Sequence, residues 1–345
     1  MSEGLHIAVV GAGIVGSAIA LELATRGAVV TLVDAGGERA SENSFGWINA
    51  SWFNPPDYFR LRHSSMGVWR RWATRVPGLD PHWSGCLVWD LDDAALDAFV
   101  RDHGAMGYAI RMVDRDTIRR IEPGLADPPA RAALAEDEGF IEAGAAASAL
   151  RTEAEASGVR LVEARVEAVE RTGLRLSGGG RLSADRIIVA AGQGTAALLD
   201  LPVAPLPGLM VLTAPARTRV AHVLAPPDLN LRQDAQGRIL CGGEAGGSAI
   251  DREPGAIADD LVERARALFG EPGLALERVI IGHRPMPADE HPVIGPVPGH
   301  DGIYAAVMHS GVTLAPGVAE LIADEVLDSA EAPLLAPFRP NRFSG

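Results

Sequence analysis

Residues Gly11-Ala12-Gly13-Ile14-Val15-Gly16 constrain this chain more than any others, because they set GxGxxG between an apolar run and a helical one. Ile7-Ala8-Val9-Val10 is uniformly apolar, as suits a parallel strand covered on both faces. Ile14 to Arg26 has helical periodicity and stops at Gly27, a residue fitted to the left-handed turn after a helix. Val29 to Val33 is a second apolar run, so the N-terminal segment reads as βαβ. In such a unit Gly11 permits the tight turn, Gly13 lets the backbone approach a pyrophosphate, and Gly16 lets helix and strand pack closely. The helix start, at Ile14 and Val15, then faces the phosphate charge. Asp34, with Ala35 after it, closes the second run where an acid accepts hydrogen bonds from ribose hydroxyls. An acid there disfavours a 2′-phosphate, which leaves FAD or NAD rather than NADP.

Composition removes whole classes of function. The 345 residues are 47% hydrophobic, enough for a large core, and the formal net charge is -14 with no basic run. Such a surface is a poor partner for nucleic acid or anionic lipid. All 31 basic residues are Arg. The missing lysine excludes a Schiff-base mechanism, the usual PLP chemistry, and a lysine that assists oxygen reduction. Cys86 and Cys241 lie far apart and read as buried structural thiols, and neither CxxC nor HExxH occurs, so no metal is expected. The apolar start is too short to span a membrane and lacks a signal-peptide layout, so a cytoplasmic location is expected.

Further along, helices are expected over Tyr58–Arg75, Asp93–His103, Gly144–Ser157 and Ile257–Phe269, with a last one from about Gly317 to Leu327. Val166–Glu170, Leu174–Leu176 and Arg181–Leu182 form a hairpin-like group around Gly178-Gly179-Gly180. Leu209–Thr213, Leu229–Arg232 and Ile239–Cys241 read as antiparallel strands. Asp185–Ala190 and Ile303–Val307 are apolar strands of the Rossmann type. Rossmann-like pieces at the start, middle and end imply a discontinuous cofactor domain over 1–44, 141–205 and 281–345. The insertions 45–140 and 206–280 would then build a substrate domain. The strand closing in Ala190-Ala191-Gly192 resembles the second FAD-contacting strand of glutathione-reductase-like flavoproteins. Gly242-Gly243-Glu244-Ala245-Gly246-Gly247 reads as a loop and not as a second fingerprint. With one dinucleotide site, electrons leave for oxygen, a quinone or a protein.

At this point the sequence resembles the D-amino-acid-oxidase-like family of flavoproteins, in its glycine oxidase and sarcosine oxidase branch. The resemblance covers nearly the whole chain. It rests on the N-terminal fingerprint, on Ile121-Glu122-Pro123-Gly124-Leu125, on Ala190-Ala191-Gly192, and on Arg284-Pro285-Met286-Pro287-Ala288-Asp289 with Pro292-Val293-Ile294-Gly295. It closes with His309-Ser310-Gly311-Val312-Thr313-Leu314-Ala315-Pro316. The implied fold is α/β: a glutathione-reductase-like Rossmann FAD-binding domain beside an α+β domain on a mixed, largely antiparallel sheet.

The resemblance implies that Arg284 holds a substrate carboxylate, a task its planar fork suits through two parallel charge-assisted bonds. It implies that the backbone at Gly311, Val312 and Thr313 faces the flavin pyrimidine oxygen. Ser41, Ser44, Gly46 and Trp47 match the stretch passing the pyrophosphate and rings. Val166 matches an adenine contact, and Ala191 and Gly192 match the second FAD strand. Asn49, Arg232 and His309 are further substrate-site candidates, Arg232 as a second carboxylate clamp or a solvated strand residue. Met286 lies near where a flavin-linking cysteine would be, so noncovalent FAD is expected. The expected reaction moves hydride from the α-carbon of glycine or an N-substituted glycine to flavin, followed by imine hydrolysis to glyoxylate and amine. Oxygen is the expected acceptor. A D-amino acid dehydrogenase, a 2-hydroxy acid oxidase and the flavin subunit of a hetero-complex stay open, as does a monomer or homo-oligomer.

Overall fold

The computed structural model describes residues 4–52, 55–243 and 249–343, so Glu244, Ala245, Gly246 and Gly247 of the glycine-rich loop lie outside the described residues. The apolar run at the start is the strand His6–Val10, near the middle of a six-stranded sheet. The sheet's order is Val293–Pro296, Ile303–Val307, Arg186–Val189, His6–Val10, Val29–Asp34 and Arg160–Glu163. All neighbours are parallel except the first pair.

Alternation along His6–Val10 explains why both faces are covered. Ile7 and Val9 share a core with the helices Ile14–Thr25, Ala143–Ala156 and Gly311–Leu327. Ala8 and Val10 face the small sheet of Val166–Glu170, Gly173–Leu176 and Arg181–Ser183 through Leu174 and Leu176. The period of two therefore delivers one apolar side chain to each layer in turn.

The second large sheet has eight strands, in the order Leu276–Pro287, Val203–Pro215, Arg238–Gly242, Asn230–Gln233, Val223–Ala225, Cys86–Val88, Arg131–Ala135 and Ile110–Asp114. It is antiparallel apart from Val223–Ala225 beside Cys86–Val88. One face packs on the helix Pro254–Phe269, and the other on Pro56–Arg75 and Asp93–Ala105.

The expected helices and the Rossmann strands are present, and two differences have physical causes. Leu276–Pro287 is a long strand despite Pro285 and Pro287. It is a sheet edge, and over Val203–Gly208 and Gly282–Pro287 the two chains pair only with each other, with Pro205 opposite Pro285. An edge has places for residues that cannot donate a ladder bond.

The final helix begins at Gly311, six residues before the expected start, and carries Pro316 inside it. Pro316 cannot donate to the carbonyl four residues back, that of Val312. The buried Trp69 replaces that donor: its indole N–H reaches the Val312 carbonyl at 2.9 Å and that of Thr313 at 3.2 Å. Close approach of the two helices depends on Gly317, where a Cβ would come 2.2 Å from Ser65 Oγ. No helix of the described residues is long and apolar enough to cross a membrane.

Trp69→Phe keeps most of the packing but leaves the Val312 carbonyl without its donor. Urea unfolding should show a loss of about 1–3 kcal/mol, the usual penalty for an orphaned buried acceptor.

Candidate active site

His6–Val10, Val29–Asp34 and Arg186–Val189 end level, since Val10 lies opposite both Val33 and Val189. The residues that follow them open onto one crevice at the carboxyl ends of the strands, where open α/β sheets bind ligands. A cleft of about 1760 Å³ runs from there to the ribbon carrying Arg284. Single small-molecule pockets hold roughly 300–1,000 Å³, so this one has room for a dinucleotide and a small substrate beside it. All the sequence-derived site candidates line the cleft except Gly16 and Arg232.

Backbone contacts shape the dinucleotide end. Gly11 has φ +102°, and a Cβ there would lie 2.5 Å from the Ala190 carbonyl oxygen. At Gly16 a Cβ would sit 1.8 Å from the Gly11 carbonyl oxygen, so Gly16 acts through packing and not by lining the cleft. Gly13 is different: its only near neighbour would be Ser41 Oγ at 3.5 Å, which leaves its backbone open for a ligand's approach. Ser41 Oγ accepts from the Ile14 N–H at 3.0 Å.

The Asp34 carboxylate accepts from Ala12 N–H at 2.6 Å, Gly36 N–H at 2.8 Å and Arg39 Nη2 at 2.6 Å. Burial pushes its pKa up, but these bonds, Arg39's foremost, outweigh burial and hold the carboxyl below its ordinary value. Val166, Ala191 and Gly192 border the same end, as does Ala35. A glycine cradle, a helix start, an ionised acid and this volume fit the FAD expected from the sequence.

Where the rings would lie, Trp47 and Asn49 are stitched to the last helix by one hydroxyl. Thr313 Oγ1 donates to the Trp47 carbonyl at 3.1 Å and accepts from the Asn49 N–H at 3.3 Å. Gly46, at φ +78°, lies so close to the Ile141 carbonyl that a Cβ would come within 2.0 Å. Ser44 Oγ accepts from its N–H at 3.1 Å. Gly311 and Val312 complete this wall, and Gly311 abuts Val15 of the first helix. Behind it the fully buried Glu138 accepts from Trp47 Nε1 at 2.9 Å and Tyr108 Oη at 2.7 Å. Burial raises the Glu138 pKa.

At the far end Arg284 projects over Gly208, where a Cβ would come 3.2 Å from its Nη2. Arg284 Nη1 lies 3.5 Å from His309 Nε2. Burial first, then repulsion by Arg284 and Arg62, brings the His309 pKa down to about 4. His309 is therefore neutral at physiological pH.

Arg232 is corrected by the structure: it is neither at the cleft nor solvated. It is 2% exposed, pairs through Nη1 with Glu142 at 2.6 Å, donates through Nε to the Phe45 carbonyl at 2.6 Å, and lies over the Phe140 ring. Its fork is already occupied inside the protein. Conversely, Arg39 and Arg62 line the cleft and were missed. Arg62 did carry a signal, since it falls in the helical stripe of Tyr58, Ser65, Met66, Trp69 and Trp72, all buried. An arginine on an apolar face is unusual without a partner. Cys86 and Cys241 are fully buried and do not line the cleft, and burial pushes the Cys241 thiol up to about 12.

The sequence model of the FAD dependent oxidoreductase family, DAO, matches residues 6–325. The glycine oxidase of Pseudomonas aeruginosa is 31% identical, over 99% of this chain and 99% of that protein. The bifunctional protein ThiO/ThiG of a Synechocystis strain is 30% identical over 99% of this chain, which spans 55% of that longer protein. The crystal structure of glycine oxidase from Geobacillus kaustophilus superposes with a TM-score of 0.84 at 25% identity, covering 98% of this chain and 99% of that one.

As pH falls from 6.5 towards 4, the unfolded chain protonates its His309 before the folded one does. Stability present above 6.5 is thus lost over that window, by about 2–3 kcal/mol for a partly screened group. Urea unfolding of wild type and His309→Asn at both ends of the window should show the wild type losing more.

Proposed function

We propose a substrate and a chemistry on the premise that the chain belongs to the DAO family of FAD-dependent oxidoreductases. The reading is oxidation of glycine or an N-substituted glycine at its α-carbon, then hydrolysis of the imine to glyoxylate and an amine. The observation that carries it is Arg284, set at the opposite end of the same cleft as the glycine fingerprint. When bound, FAD supplies the two-electron oxidant.

The chain's own residues supply position and electrostatics. The Arg284 fork takes the carboxylate and so fixes the adjacent carbon. His309 stays neutral and offers Nε2 to the Arg284 guanidinium, which favours one orientation of the fork. The start of the helix Gly311–Leu327 presents backbone N–H groups where negative charge is favoured. Gly11, Gly13, Asp34 and Ser41 would hold the dinucleotide. The chemistry asks for no obligatory general base, since the amine enters neutral.

Noncovalent FAD is supported by the position of both thiols away from the cleft, with Met286 at its wall. Oxygen as acceptor, giving hydrogen peroxide, and a cytoplasmic location belong to this proposal. So does the division into a cofactor domain over 1–44, 141–205 and 281–345 and a substrate domain over 45–140 and 206–280.

An anaerobic visible spectrum of the purified protein tests the reading. Glycine or an N-alkyl glycine should bleach the flavin bands, with peroxide appearing in step when air is admitted. Bleaching by D-amino acids alone, or by 2-hydroxy acids alone, would replace this substrate class with that one. Arg284→Met should lower kcat/KM for the bleaching substrate about a hundredfold or more, with the flavin still bound, as loss of a buried bidentate clamp requires.

A further inference from the structure

Aromatic residues make up 5% of this chain, yet one short segment brings several of them to the cleft. Phe45, Trp47, Trp52 and Tyr58 are all the Phe, Trp and Tyr side chains that line it among the described residues. Trp47 and Trp52 are half-buried and meet at 90° with ring centres 6.4 Å apart, so they form a corner of two aromatic planes. The Phe45 ring lies 5.7 Å from that of Trp47. Glycine has no side chain to cover such a corner.

Both rings are fixed by groups distant in sequence. Glu138 accepts from Trp47 Nε1 at 2.9 Å. Trp52 is held in the left-handed backbone region, at φ +77°, which a bulky side chain rarely adopts. Its carbonyl lies 3.0 Å from Nε2 of the buried His103, and its ring centre lies 5.9 Å from that of Phe99. A conformation of that kind persists only where the surroundings over-determine it, and such positions gather where ligands are clasped.

The corner is continuous with the carboxylate anchor. His309, 3.5 Å from Arg284, precedes Ser310, whose Oγ accepts from the Tyr58 hydroxyl at 2.8 Å. Tyr58 enters the cleft from the same segment as Trp52. On the sheet side, Met210 follows Gly208 by two residues, so it shares the face over which Arg284 lies. Met210 also lines the cleft, and it belongs to the core cluster against which Trp47 and Trp52 pack. A flexible thioether beside aromatic rings suits an apolar ligand.

We propose that Trp47, Trp52 and Met210 form an apolar subsite for the substrate's N-substituent, and that the substrate is a glycine unit whose nitrogen carries a flat, ring-bearing apolar group such as an arylmethyl. The proposal rests on the reading of Arg284 as the carboxylate anchor. The anchor holds one end of the molecule and the aromatic corner holds the other, so the α-carbon between them is fixed from both sides. Trp52 is the specificity-determining residue, since Trp47 also walls the part of the cleft where the flavin rings would lie. Oxidation of such a substrate and hydrolysis of the imine release glyoxylate and an apolar primary amine.

The test is calorimetric binding to the FAD-loaded protein of two unreactive analogues with an ether oxygen in place of the amine. Methoxyacetate and benzyloxyacetate share the carboxylate and differ by a phenyl ring. Wild type should bind benzyloxyacetate roughly ten- to a hundredfold more tightly, the worth of burying a phenyl-sized group. Trp52→Ala should bring the two affinities close together, Trp52→Phe should keep most of the preference, and Arg284→Gln should weaken both ligands. Equal affinity of wild type for the two analogues overturns the proposal, and this comparison needs no variant to fold. An unchanged preference in Trp52→Ala also overturns it, and weaker FAD binding by that variant would then assign Trp52 to the cofactor. Retention of methoxyacetate affinity by Arg284→Gln would instead remove the anchor reading beneath it, while the wild-type preference for the ring stood.

Discussion

The near-contact of two backbones at Gly11 organises this protein. The turn leaving His6–Val10 passes so close to the Ala190 carbonyl that no side chain fits between them, and Gly16 brings the first helix onto the same turn. Because Val10, Val33 and Val189 are in register, the chains leaving three strands are held together at one edge of the sheet. The cleft is the space those departing chains enclose. Its dinucleotide end is thus made of main chain, whose N–H groups carry no side-chain entropy and suit phosphate.

The ring-side wall is held by a different principle. Trp47, Asn49 and the last helix are joined through Thr313, and Trp69 supplies the hydrogen bond that Pro316 denies the Val312 carbonyl. Glu138 then fixes Trp47 from behind. These are buried polar groups, each satisfied by a residue distant in sequence, and such networks impose a single arrangement because a half-satisfied version is costly. A wall proposed to present a few backbone donors to a flavin ring gains more from that kind of definition than from raw stability.

Charge is sorted in the same way. Arg232 and Glu142 pair away from the cleft and brace Phe45 and Phe140, so that cation serves the scaffold. Arg284 and Arg62 face the cleft, and together with burial they keep His309 from accepting a third positive charge. The acid of the dinucleotide end, Asp34, is kept ionised by the Ala12 N–H and by Arg39. The cleft therefore carries an ionised acid among its glycines and, where Arg284 and Arg62 face it, a histidine kept neutral.

What the sequence determined by itself was whatever depends on local pattern. Apolar runs fixed the parallel strands, three glycines and Asp34 fixed the dinucleotide turn, and helical periodicity fixed most helices, because side-chain period and backbone sterics are properties of short segments. Tertiary structure decided the features that depend on partners far along the chain. The strand Leu276–Pro287, which no local pattern announced, accommodates Pro285 and Pro287 because it sits at a sheet edge. The last helix starts early, and Trp69, far away in sequence, supplies the donor that Pro316 withholds from its first turn. Nearly all the residues singled out in the sequence line the cleft, but Arg232 was misplaced and Arg62 was missed. Arg232 meets Glu142 and Phe45 across the fold, and Arg62 meets Asn49 from a separate helix. Whether a buried arginine braces the protein or faces a ligand is set by the distance to its counter-charge, and that distance exists only once the chain has folded.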